Sequence, residues 1–62
     1  MLKKHDSYTI QKTGEDKNNK VVDIYYNTED DMFYADNMYE NVPFDSVDNI
    51  LDAIENDGYD IL

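Results

Sequence analysis

Alternation of apolar and polar residues predicts β-strands in the first half of the chain. Residues 8–12 alternate between the two kinds, and residues 21–26 are β-branched or aromatic at all but one position. Residues 32–35 (MFYA) follow a polar loop of hairpin length at 27–31. Such side chains are enriched in strands. The pattern predicts a three-stranded antiparallel β-meander with its first turn at residues 13–19.

A different period follows, and it predicts one C-terminal helix. Four apolar residues recur at i, i+3, i+4 and i+7: Val47, Ile50, Leu51 and Ile54. Either Asp45 or Ser46 can cap the first turn by accepting a hydrogen bond from its free N–H groups. Gly58 suits the left-handed position that ends many helices, with Tyr59 packing back on the last turn.

The element order β-β-β-α defines an α+β fold. A chain of 62 residues accommodates a single small domain over residues 1–62. Domains of this size bury only about 60% of the surface of the unfolded chain, so stability is marginal. We expect residues 1–6 to fray.

Apolar side chains on both faces of the second strand predict an uncovered aromatic surface. One helix covers one face of a sheet. If Val22, Ile24 and Tyr26 face the helix, then Val21 and Tyr25 lie on the open face. Either Met32 and Tyr34 or Phe33 and Ala35 join them, depending on hairpin register. Exposed apolar patches are typical of interfaces, which favours a homodimer or a partner at this face.

Charge is the most informative property of the composition. The chain has 15 Asp and Glu, 5 Lys and no Arg, for a net charge of −10. All five lysines fall in residues 1–22, whereas residues 23–62 contain twelve carboxylates and no basic side chain. A basic patch for nucleic acid or for an anionic membrane is therefore excluded.

Few residues could support catalysis or bind a cofactor. Cysteine is absent, His5 is the only histidine, and two glycines cannot form a phosphate-binding loop. An EF-hand aligned on Gly58 would place Ala53 at the first ligand position, so that motif fails. We expect no enzymatic activity, no cofactor and no metal site, with weak divalent-ion binding at residues 29–31 as an alternative.

No targeting or membrane segment is visible. The basic start at Lys3 and Lys4 is not followed by the apolar run of a signal peptide, and no run approaches the roughly 20 residues of a membrane span. We expect a cytoplasmic protein.

Carboxylates also follow the helical period. Asp45, Asp48, Asp52 and Glu55 are spaced by 3, 4 and 3, which places them on one side, about 130° from the apolar stripe. The helix dipole favours the first two, but it disfavours negative charge near the C-terminus. Like charges four residues apart also cost a few tenths of a kcal/mol. We interpret the charge as functional.

In charge and length alone, the chain resembles the small acidic inhibitors that phages and other mobile elements make against host nucleases, restriction enzymes and other defence complexes. The resemblance implies a non-enzymatic inhibitor, in effect a DNA mimic, that binds a basic surface of a host protein without binding nucleic acid itself. The alternative is a small homodimeric accessory protein whose acidity serves solubility.

The predicted contact residues are acidic or aromatic. The carboxylates are Asp45, Asp48, Asp52, Glu55, Glu29, Asp30, Asp31, Asp36 and Glu40. The candidate aromatic anchors are Tyr25, Tyr34 and Tyr39, because interface energy concentrates in such residues.

Overall fold

Four strands and one helix make up the computed structural model, which describes residues 1–14 and 19–62. Residues 15–18 of the turn predicted at 13–19 lie outside the described residues. The elements in chain order are β1 (Leu2–Lys12), β2 (Lys20–Asn27), β3 (Met32–Ala35), α1 (Val47–Asn56) and β4 (Tyr59–Ile61).

The strands form one antiparallel sheet in the order β3-β2-β1-β4. The α+β class, the meander and the C-terminal helix are confirmed, but the predicted number of three strands is wrong. β4 pairs with the end of β1, where Ile61 lies opposite Ile10 and Tyr59 opposite Lys12. Three residues are too few to show alternation, so this strand depends on its neighbour rather than on a local pattern.

β1 is longer than the sequence predicts. It begins at Leu2, which pairs with Asn27, so residues that we expected to fray belong to the sheet. The ladder shifts register between Lys4 and Asp6, as in a β-bulge. Charged residues are depleted in strands, and pairing with the strongly β-forming β2 outweighs that preference here.

Six buried residues form the core between the sheet and α1. They come from all three meander strands and the helix: Ile10, Val22, Ile24, Ala35, Ile50 and Ile54. The even-numbered residues of β2 therefore face the helix, while Val21 lies on the open face and is 50% exposed.

The register of the β2–β3 hairpin decides which aromatic residues share the open face. Tyr25 lies opposite Tyr34, whereas Tyr26 lies opposite Phe33. Opposed residues of an antiparallel pair point to the same face. Tyr34 and Met32 thus join Tyr25 on the open face, and Phe33 lies on the helix side.

Residues predicted to cap α1 are found at both of its ends. Ser46, rather than Asp45, is the N-cap, because its Oγ accepts a hydrogen bond from the Asn49 amide at 3.2 Å. At the other end Gly58 adopts a φ of +92°, and its amide donates to the Glu55 carbonyl at 3.0 Å. A left-handed glycine directly after a helix provides one of the two hydrogen bonds of a Schellman motif.

The two outer edges of the sheet are protected from further strand pairing in different ways. Phe44 covers the middle of β3, because it and Phe33 exchange two backbone hydrogen bonds of 2.9 Å. β4 pairs with β1 only over residues 10–12. The rest of that edge carries Lys3, Lys4 and the bulge, features that discourage strands of other molecules from adding to a sheet.

The capping geometry predicts unequal losses of stability for two neighbouring substitutions. Ser46→Ala should lower the free energy of unfolding by about 1 kcal/mol, because the Asn49 amide loses its acceptor. Asp45→Ala should cost less than half as much. Urea unfolding followed by circular dichroism measures both, and equal losses would contradict the assignment of Ser46 as the cap.

Candidate functional site

Apart from Tyr39, the predicted contact residues lie in three separate regions rather than one. The first, the acidic helix face, consists of Asp45, Asp48, Asp52 and Glu55. The second is the hairpin loop between β2 and β3, residues 28–31. The third, the open-face groove, lies on the sheet face away from α1. It is lined by Leu2, Tyr25, Asn27, Tyr34, Ala35, Asp36, Glu40 and Asn41.

The acidic helix face is a fixed row of solvent-exposed carboxylates. All four residues are exposed, while Ile50 and Ile54 on the opposite side of α1 are fully buried and hold the helix against the sheet. Asp45 precedes the N-cap Ser46, and the other three lie on α1, where a rise of 1.5 Å per residue separates neighbours by about 4.5 to 6 Å along the axis. The row therefore presents regularly spaced negative charge on a rigid element.

No cation neutralises this row in the described part of the chain. The ion pairs found there join the Met1 amino group to Glu29 at 3.3 Å and the Lys4 ammonium to Asp23 at 3.7 Å. Neither involves the helix, and the last turn of α1 contains no basic residue. The repulsion between neighbouring carboxylates is therefore relieved only by solvent and salt.

Carboxylates of the hairpin loop are bound within the hairpin itself. The hydroxyl of Tyr26 donates to Asp31, and that of Tyr34 donates to Asp30. These hydrogen bonds are the largest cause of a raised pKa in both tyrosines, and partial burial and the nearby charge raise it further. Glu29 pairs with the chain's amino group. The three acids therefore order the turn and remain exposed, but each already has at least one oxygen bonded within the molecule.

The open-face groove combines aromatic walls with acidic residues. Its volume is about 480 Å³. Tyr25 and Tyr34, directly opposite one another on β2 and β3, supply the rings, and Asp36 and Glu40 supply the carboxylates. Four of the predicted contact residues thus meet here, on the sheet face opposite the acidic helix face.

A strained loop, residues 36–41, brings the acidic residues to the groove. Asn37, Tyr39 and Asn41 all have φ between 52° and 71°, and Asn is the non-glycine residue that tolerates this region best. The Asn37 side-chain amide donates to the Val21 carbonyl at 3.2 Å, which ties the loop to β2. The loop conformation is therefore set by specific contacts rather than by glycine.

Tyr39 points away from the groove and fastens this loop to α1. Its ring contacts Phe44, with centroids 5.7 Å apart, and belongs to the apolar shell around the core. Its hydroxyl donates to the Asp57 carboxylate and lies 2.9 Å from the Ala53 carbonyl oxygen. Burial is the larger cause and the hydrogen bond to Asp57 the second, and together they raise the pKa of Tyr39 to about 12. The Tyr39 hydroxyl therefore makes its hydrogen bonds within the molecule rather than at the groove.

His5 and the carboxylates form no metal-binding cluster among residues 1–14 and 19–62. His5 packs edge-on against Phe33, with ring centroids 5.3 Å apart. No group of three or more His, Asp or Glu side chains in these ranges is placed to hold a metal ion. In the same ranges, no helix has the length and apolar character needed to cross a bilayer.

Comparison with protein families, curated proteins and solved structures finds no match. The surfaces therefore have to be interpreted from their own chemistry.

The predicted contact residues omit four residues of the groove: Leu2, Asn27, Ala35 and Asn41. Leu2 lies in a charged segment with no strand signal, and it reaches the groove only because β1 extends to the end of β2. Asn41 lies in an irregular loop, where a left-handed backbone leaves no periodic trace. The signal that could have indicated this backbone is the pair Asn37 and Asn41, because asparagine is enriched at positive φ angles.

The Tyr39 contact predicts a loss of stability at alkaline pH. The hydroxyl has its ordinary pKa of 10.0 in the unfolded chain and about 12 in the folded one. Its contribution is therefore complete below pH 10 and is lost as the pH rises through 12. Tyr39→Phe should lower the free energy of unfolding at pH 7 by about 1–2 kcal/mol. It should also reduce the decline between pH 10 and 12, as measured by urea unfolding at a series of pH values.

Tyr25→Phe is the matched control for this experiment, because the Tyr25 hydroxyl has no hydrogen bond within the described residues. An alkaline decline in Tyr39→Phe as steep as in the original chain would contradict this role for Tyr39.

Proposed function

We propose that this chain is a small acidic inhibitor that binds a basic, nucleic-acid-binding surface of another protein through its acidic helix face. The binding is non-enzymatic, and inhibition follows because the occupied surface is no longer accessible to nucleic acid. A host nuclease or defence complex, opposed by a phage or another mobile element, is the kind of target that this chemistry suits.

The observation that carries the proposal is a row of three exposed carboxylates on a helix anchored by Ile50 and Ile54, with the exposed Asp45 just before the N-cap. Lys and Arg side chains that bind phosphates also bind carboxylates, through charge-assisted hydrogen bonds. A row spaced by about 4.5 to 6 Å offers such side chains successive acceptors along one direction. Opposite net charges also accelerate the encounter of the two proteins.

Stability explains the carboxylates at the start of the helix, which the helix dipole favours, but not those that follow. Asp48 and Asp52 repel each other at i, i+4, and Glu55 lies in the last turn, where the helix dipole disfavours negative charge. A six-residue core leaves little free energy to offset these costs. Residues that lower stability at an exposed position are typical of binding sites.

Neutralising the helix carboxylates should weaken partner binding. In a pull-down from cell lysate, the tagged chain should capture a protein that elutes with moderate salt and with duplex DNA. We expect Asp52→Asn combined with Glu55→Gln to weaken this binding roughly 10- to 100-fold, because the amide oxygens still accept hydrogen bonds and only about half of the 1.5–3 kcal/mol of each charged contact is lost. Quantitative mass spectrometry of the eluates gives the measurement.

A matched control removes the same charge elsewhere. Glu29→Gln combined with Asp60→Asn also neutralises two carboxylates, one in the hairpin loop and one on β4, and should leave capture unchanged. Equal weakening by both pairs would show that only net charge matters. Failure of duplex DNA to displace the partner would contradict the proposed overlap with a nucleic-acid site.

The same pair of substitutions should stabilise the fold. Asp52→Asn with Glu55→Gln removes the repulsion from Asp48 and the unfavourable charge at the helix end, so the free energy of unfolding should rise by about 0.5–1 kcal/mol at low salt. Thermal unfolding at low and high NaCl measures this gain, which screening should diminish. A loss of stability would show that the carboxylates have a structural role.

A further inference from the structure

We propose that the open-face groove is a second binding site, which accepts an arginine or lysine side chain from an extended basic segment of a partner protein. This goes beyond the proposed function, because the groove lies on the sheet face opposite the acidic helix face and uses different residues.

The aromatic walls suit a cation. Tyr25 on β2 and Tyr34 on β3 are paired in the strand register. At that separation the side chains of opposed strand residues interact. The Tyr34 hydroxyl is held by Asp30, which fixes one ring in place before any ligand arrives. Cations bind over the faces of such rings, and arginine does so more often than lysine.

The remaining lining supplies the charge and the apolar contact that a basic side chain requires. Asp36 and Glu40 border the rings, and neither takes part in an ion pair within the described residues. Leu2 is 56% exposed and offers apolar surface for an aliphatic stem. Lys4 lies beside Tyr25 but pairs with Asp23 at 3.7 Å and does not line the groove.

Charge distinguishes this occupant from a second copy of the chain. Two copies joined through their open faces would bring the carboxylates of both grooves, Asp36 and Glu40, into one interface. Each copy also has a net charge of −10, so association would be opposed overall. A basic segment gains from the same carboxylates, which makes it the better fit.

The test is an NMR titration of the intact ¹⁵N-labelled chain with a capped Gly-Arg-Gly-Arg-Gly peptide. The control peptide contains citrulline, the uncharged isostere of arginine, in place of both arginines. We expect shifts concentrated at Leu2, Tyr25, Tyr34 and residues 36–41, with at least tenfold weaker binding of the citrulline peptide.

Variants separate the groove from the helix face. Tyr25→Leu keeps apolar area without an aromatic ring and should weaken binding about tenfold, while Asp36→Asn with Glu40→Gln should weaken it and flatten its salt dependence. In Asp52→Asn with Glu55→Gln, the shifts at Leu2, Tyr25 and Tyr34 should titrate with the original affinity, because they report occupation of the groove whatever binds at the helix face.

Three outcomes would overturn the inference. Shifts concentrated on α1 would place the cation at the helix face. Equal binding of the arginine and citrulline peptides would exclude recognition of charge. A dimer in sedimentation equilibrium, with Tyr25 and Tyr34 shifts that depend on protein concentration alone, would assign the groove to self-association.

Discussion

A single ten-residue helix covers one face of a four-stranded sheet, and the other features of the molecule depend on that limit. Within residues 1–14 and 19–62, the covered face yields a core of six buried residues. No described residue forms a layer over the second face of the sheet, so its aromatic residues remain partly exposed. In the same part of the chain nothing packs on the outer side of α1, and its carboxylates are exposed.

Tyrosine hydroxyls take the place of basic side chains in organising the carboxylates. The chain has no arginine, and none of its five lysines follows Lys20. Three tyrosines donate instead: Tyr26 to Asp31, Tyr34 to Asp30 and Tyr39 to Asp57. Such a donor satisfies an oxygen without cancelling its charge. The molecule can therefore order its acidic loops and still present a strongly negative surface to a partner.

Local patterns predicted the elements that are amphipathic in themselves and missed those created by neighbours. The period of Ile50 and Ile54 located α1, and the β-branched run located β2. By contrast, β4 and the first half of β1 exist because a paired strand compensates for poor local propensity. The hairpin register was left open because either pair of β3 residues fitted the alternation, and only the pairing of Tyr25 with Tyr34 decided it.

The division of the predicted contact residues has the same origin, and it restricts how a partner can bind. Spacing along the chain grouped Asp52 with Glu55 correctly, but it could not show that Asp36 and Glu40 lie across the sheet from them. The molecule measures 38 × 18 × 16 Å, so the two surfaces are separated by its full thickness. A flat partner contacts one surface at a time. A partner that engages both must extend a basic segment around the edge of the sheet, and occupation of both sites would then add their contributions through one linkage. The exposed length of β1, with Lys3 and Lys4 at its free edge, is the less favourable route for that segment. The edge at β3, beside Asp36 and Glu40, carries the complementary charge.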